Sequence, residues 1–91
     1  MELETTIASI GEQIASAGIH AHEQTLRTMA SAAKRFAPGA AEALTDPTLA
    51  DALRHRAYSV VGAALTRNLD RGQSARLADS VNGLTPVSSA A

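Results

Sequence analysis

The densest set of groups able to do chemistry is His20-Ala21-His22-Glu23, with Gln24 beside it. Imidazole and carboxylate in one short run suggest a metal site. On a helix, however, His20 and His22 point about 160° apart, and two ligands on one face need a spacing of three or four. That leaves His20 with Glu23 or Gln24, an ordinary surface pair. His22 is expected at the edge of an apolar stripe and His20 in solvent, with no metal and no cofactor.

Catalytic arrangements are equally thin. Asp46, Asp51, His55 and Ser59 lie close in the chain, yet Asp51, His55 and Ser59 merely follow the four-residue spacing of a helix surface. No Gly-rich phosphate loop and no nucleophile elbow is present. With no cysteine, disulfides, thiolate metal sites and cysteine nucleophiles are excluded. The expectation is a protein that is not an enzyme.

The one basic concentration is Arg54-His55-Arg56 with Arg67, Arg71 and Arg76. Arg56 and Arg67 share a helix face, so Arg56, Arg67, Arg71 and Arg76 are the candidate nucleic-acid contacts. No aromatic side chain accompanies them for base stacking, and the formal net charge of −1 gives no bulk attraction to a polyanion. Arg54 differs from the others because it falls inside an apolar arc. There it must snorkel or find a carboxylate.

Gln73-Ser74-Ala75-Arg76-Leu77-Ala78, followed by Gly83-Leu84-Thr85-Pro86, loosely resembles the first helix and turn of bacterial helix-turn-helix DNA-binding domains. The resemblance covers about 14 residues and implies a nucleic-acid-binding or transcription-regulatory alternative. The recognition helix of such domains has no counterpart: Pro86 opens the six residues that follow Thr85.

The elements that must position these groups are helices. Of the 45% of the chain that is hydrophobic, 20 residues are alanine, and only one Phe, one Tyr and no Trp are present. Alanine is the best helix former, whereas a sandwich or barrel wants aromatic and β-branched residues. Leu3, Ile7, Ile10, Ile14, Gly18, His22, Leu26, Met29, Ala33 and Phe36 recur every three or four residues, which predicts one long helix over 3–36. Nine turns in 33 residues is about 3.67 per turn, nearer a straight helix than a coiled-coil heptad. Gly11, Gly18, Ala15, Ala17 and Ala21 form a small-residue patch where a kink or a close crossing is possible, and Ile19 lies off the stripe.

Phe36-Ala37-Pro38-Gly39 ends that helix, since the residue before proline is driven out of the α region. A turn over 37–46 leads to a second helix over 47–71, with Asp46 as N-cap, Pro47 at its first position and Gly72 as its stop. Leu49, Leu53, Ala57, Val60 and Ala64 form one seam, assigned to the first helix. Tyr58, Val61 and Leu65 widen the apolar arc and are assigned, with Ile19 and Arg54, to an interface with a partner. Ser74 caps a short third helix over 74–82, and 85–91 is a frayed tail.

The fold class expected is therefore all-α. Residues 1–84 make one domain, an antiparallel hairpin of two long helices plus a short C-terminal helix, and two copies make a four-helix bundle. Ile7, Ile10, Ile14, Leu49, Leu53 and Val60 are the expected core. The function expected is a non-catalytic protein-protein interaction module, a homo-oligomeric adaptor or regulator, with a dimer favoured and a second protein partner possible. The acidic start of the chain and the lack of a long apolar run give a cytoplasmic protein without membrane contact as the default.

Overall fold

Gly18 sets the course of the chain. The computed structural model describes residues 2–84, and there the long helix expected over 3–36 is broken. Helix α1 (Glu2–Ala17) ends, a single 3-10 turn (Ile19–His22) follows, and helix α2 (Glu23–Ala33) starts in a new direction. At the break Gly18 takes φ 95° and ψ 150°, a region open essentially to glycine alone. No other residue has positive φ among those described. The turn carries Ile19, off the apolar stripe, into the core, where it is fully buried.

After a turn at 34–36, Ala37 leaves the helical region with φ −145° and ψ 69°, and Pro38 opens a short helix α3 (Pro38–Leu44). This segment is expected from sequence as part of a turn over 37–46, with at most one helical turn over 40–44. Pro38 has no N–H to lose at a first helical position, so it starts a helix as readily as it ends one. Asp46 does not cap a helix; its Oδ1 accepts from the Thr48 N–H and hydroxyl at 2.9 and 2.6 Å, closing a local turn. Helix α4 (Asp51–Asn68) follows.

Helix α5 (Arg71–Leu84) begins earlier than expected because Asp70, not Ser74, is its cap. The Gln73 N–H donates to Asp70 Oδ1 at 2.8 Å, and the Asp70 N–H donates to Gln73 Oε1 at 3.1 Å. This reciprocal capping box satisfies two otherwise orphaned donors. Gly72 lies inside α5 rather than stopping α4. The tail expected at 85–91 lies outside the described residues.

Every element is helical and no strand occurs among the described residues. Helix α2 lies at the centre, against α3, α4 and α5, while α1 packs on α5 and α4. The pairs Ile7 with Gly62 and Gly11 with Tyr58 run in opposite order, so α1 and α4 are antiparallel. They cross closely because Gly62 has no side chain: a Cβ there would lie 2.9 Å from Ile7 Cγ2. Leu3, Ile10, Ile14, Ile19, Leu26, Met29, Leu44, Val61, Leu65 and Val81 fill one core. At about 2 kcal/mol per large buried side chain, this core is the chief stabilising term.

Two glycine substitutions separate the two roles. Gly62→Ala is expected to lower stability by about 1–3 kcal/mol, because Ile7 or the α1 backbone must move. Gly18→Ala meets no neighbour within 4 Å, and its cost, about 1–3 kcal/mol, comes from backbone conformation alone. Urea unfolding of both variants checks this, and in Gly18→Ala a second residue changed elsewhere in the core should not rescue the loss.

Candidate functional site

Helix α4 buries Ala57 as expected but turns its large side chains in the opposite sense to the one expected. Arg54, Tyr58, Val61 and Leu65, assigned from sequence to a partner interface together with Ile19, are all buried within the single chain. Leu53 and Val60, assigned to the core, are 48% and 49% exposed, and Leu49 is only partly buried. Among the other expected core residues, Ile10 and Ile14 are buried and Ile7 is partly so. The small-residue patch is not a crossing point as a whole. Gly11 faces Tyr58, Gly18 makes the break, and Ala15 and Ala17 are exposed.

What turns α4 inward at its start is Arg54. Its side chain is 0% exposed, and its hydrogen-bond partners all belong to the same chain. Nε donates to the Leu44 carbonyl at the end of α3 at 3.0 Å, while Nη1 and Nη2 donate to Glu23 Oε2 and Oε1 at 3.1 and 2.8 Å. The two-pronged contact matches the planar guanidinium to the carboxylate. One residue thereby ties together the first turn of α2, the end of α3 and the first turn of α4. The hydrogen bonds from Arg54 hold the Glu23 carboxyl below its ordinary range, against the opposing effect of burial.

His20 extends this network to the surface. Its Nδ1 lies 3.4 Å from Glu23 Oε2 and its Nε2 lies 3.1 Å from Asp51 Oδ1, with the ring 63% exposed. Asp51 therefore meets an imidazole from the 3-10 turn rather than the His55–Ser59 row of its own helix. No group of three or more His, Asp or Glu side chains among the described residues has the geometry to hold a metal ion. His22, expected at the stripe's edge, is buried, and its Nδ1 has no hydrogen-bond partner.

One helix turn beyond Arg54, the Tyr58 hydroxyl donates to the Ile7 carbonyl of α1 at 2.6 Å. Burial pushes this phenol above its ordinary pKa. Tyr58 and Arg54 thus supply both polar anchors of the inner face of α4, and Val61 and Leu65 supply its apolar contacts.

The outer face of α4 is left to solvent. A groove beside it is lined by Phe36, Ala37, Ser59, Val60, Ala63, Ala64, Arg67 and Asn68. Arg56, Arg67, Arg71 and Arg76 are all exposed, but they do not converge. Arg67 borders the Phe36–Val60 groove, whereas Arg76 borders another, with Arg35, between α2 and α5. No helix among the described residues is long and apolar enough to cross a membrane. Comparison with protein-family models, with curated proteins and with solved structures finds no match.

Sequence reasoning foresaw that Arg54 needs a carboxylate but named no partner for it. The carboxylate that answers it is Glu23, 31 positions away in the chain. What was missing was the break at Gly18 that points α2 at the start of α4.

Glu23→Gln leaves a buried guanidinium facing a neutral amide and is expected to cost about 2 kcal/mol, less than the roughly 3–5 of a wholly buried pair because Glu23 is 34% exposed. The lowered pKa means that the folded state binds fewer protons than the unfolded one. Its stabilisation is complete above the ordinary value of 4.5 and disappears as pH falls through the lower folded value. Urea unfolding between pH 6 and pH 2 should therefore show a shallower acid decline in Glu23→Gln than in the wild type.

Proposed function

We propose that this protein is a non-catalytic protein-interaction module whose working surface is the outer face of α4. The observation that carries the reading is the pair of half-exposed side chains Leu53 and Val60, the exposed large hydrophobics of the described chain. They are seven residues apart, hence two turns along one stripe. Phe36, half-buried, faces the same groove as Val60. A chain with few large apolar residues leaves two of them in water on its second long helix, while Arg54 occupies the interior.

That arrangement supports a helix-in-groove contact, in which a partner covers anchors spaced at i and i+7. Self-association through α4 is the less favourable form of this contact. An antiparallel α4 pair would bring Arg56 and Arg67 of both copies onto one seam, and the outer stripe of α4 offers no carboxylate between them. The homodimer expected from sequence also relied on Ile19, Arg54, Tyr58, Val61 and Leu65, all of which serve the chain's own core. A partner of a different chain is the form we favour.

The test compares the wild-type chain with Leu53→Glu/Val60→Glu. Both sites are exposed, so the melting transition should hold within about 0.5 kcal/mol in stability. From a lysate of the native host, at least one protein should be retained by the wild type and lost by the double variant. Identical retained sets would remove the assignment of this face.

A further inference from the structure

The charge around the outer face of α4 narrows the kind of partner that fits it. The groove next to Val60 is lined by aliphatic and small side chains, one aromatic ring, one amide and one guanidinium, with no aspartate or glutamate among its walls. Arg56 and Arg67 stand on the same exposed stripe as Val60. Arg35 lies over the Phe36 ring with its guanidinium carbon 4.9 Å from the ring centre, but it borders the neighbouring groove with Arg76, so the cations of this face are Arg56 and Arg67. Neither Arg56 nor Arg67 forms an ion pair with a described carboxylate. The acids closest in sequence are engaged elsewhere: Asp51 meets His20 and Asp70 caps α5.

We infer that the outer face of α4 is a docking site for an acidic amphipathic helix of another protein. The inference rests on the interaction reading above and adds the chemistry of the partner. Apolar residues of that helix at i, i+3 or i+4, and i+7 cover Leu53, Val60 and Phe36, and carboxylates flanking them face Arg56 and Arg67. From Leu53 to Arg67 the stripe is about 21 Å long, four turns of helix. Ala63 and Ala64 let the partner's axis come within about 8–10 Å. Nucleic acid is the poorer fit. Phe36 is the single aromatic ring in the groove, which gives no run of rings for bases to stack on, and the chain as a whole carries a net charge of −1, so the positive field is local to this face.

The test uses the full chain, isotope-labelled, and two synthetic peptides of about 18 residues, long enough to span the stripe. One carries Leu at i, i+3, i+4 and i+7 with Glu and Ala elsewhere; the other has Lys in place of every Glu. The Glu peptide should shift the amide resonances of 53–67 and Phe36. Its affinity should fall about tenfold as salt rises from roughly 50 to 300 mM, where the screening length shortens to the range of contact. Arg56→Glu/Arg67→Glu, with an unchanged melting transition, should weaken it about tenfold, and the Lys peptide should bind at least about tenfold more weakly than the Glu peptide.

Equal or tighter binding of the Lys peptide at the same residues would overturn the acidic partner while leaving the docking face in place. Failure of both peptides to shift 53–67 would overturn the inference and the interaction reading together. Tighter, salt-sensitive shifts of the same residues by a DNA duplex would assign the arginines to phosphate instead. A concentration-dependent dimer that shields 53–67 and excludes the Glu peptide would assign the face to a second copy.

Discussion

The structure depends on one buried ion pair. Arg54 lies at the start of α4 with no exposed surface, and Glu23 meets both ends of its guanidinium from the first turn of α2. Desolvating such a cation costs several kcal/mol, and only good geometry and additional acceptors offset it. Here the carboxylate is bidentate and the Leu44 carbonyl takes the third donor. Because three helix termini converge on that single side chain, the rotation of α4 about its own axis is set. Tyr58, Val61 and Leu65 turn inward with Arg54, and Leu53 and Val60 turn outward.

That rotation is what links the fold to the proposed function. A helix with so wide an apolar arc has two possible inner faces, and hydrophobic burial alone favours neither by much. Turning the stripe of Leu53 and Val60 inward would bury Arg56 and Arg67 with it and leave Arg54 and Tyr58 in the wrong place for their partners. Placing the polar anchors inside satisfies their hydrogen bonds within the monomer, at the expense of two large aliphatic side chains left at the surface. An outward apolar stripe framed by arginines is therefore a consequence of how the core solved its own polar problem.

The helical class was legible in the sequence because alanine content and three-to-four spacing are local properties. The stripe from Leu3 to Phe36 also read correctly for burial, since Leu3, Ile10, Ile14, His22, Leu26, Met29 and Ala33 all face inward. Periodicity reports which residues face the core but not whether the axis is straight, so the glycines marked a possible kink without showing that the helix breaks at Gly18. Its trace was Ile19, which lay off the stripe and is fully buried once the 3-10 turn is present. The orientation of α4 was not legible for a different reason. Arg54 inside an apolar arc looked like an interface residue because its carboxylate is 31 positions away, and only the fold brings it there. The exposure of Arg56, Arg67, Arg71 and Arg76 followed from their charge alone, whereas their separation onto different grooves depended on where α5 starts.

The orientation of α4 is the central claim, and a thiol reports it directly because the chain has no cysteine of its own. In Val60→Cys and Val61→Cys variants, the rate of maleimide labelling under native conditions compares adjacent positions on opposite faces. The account predicts that Val60→Cys labels at close to the rate of the unfolded chain, while Val61→Cys is protected until urea unfolds the protein. Protection at residue 60 with free labelling at residue 61 would contradict it.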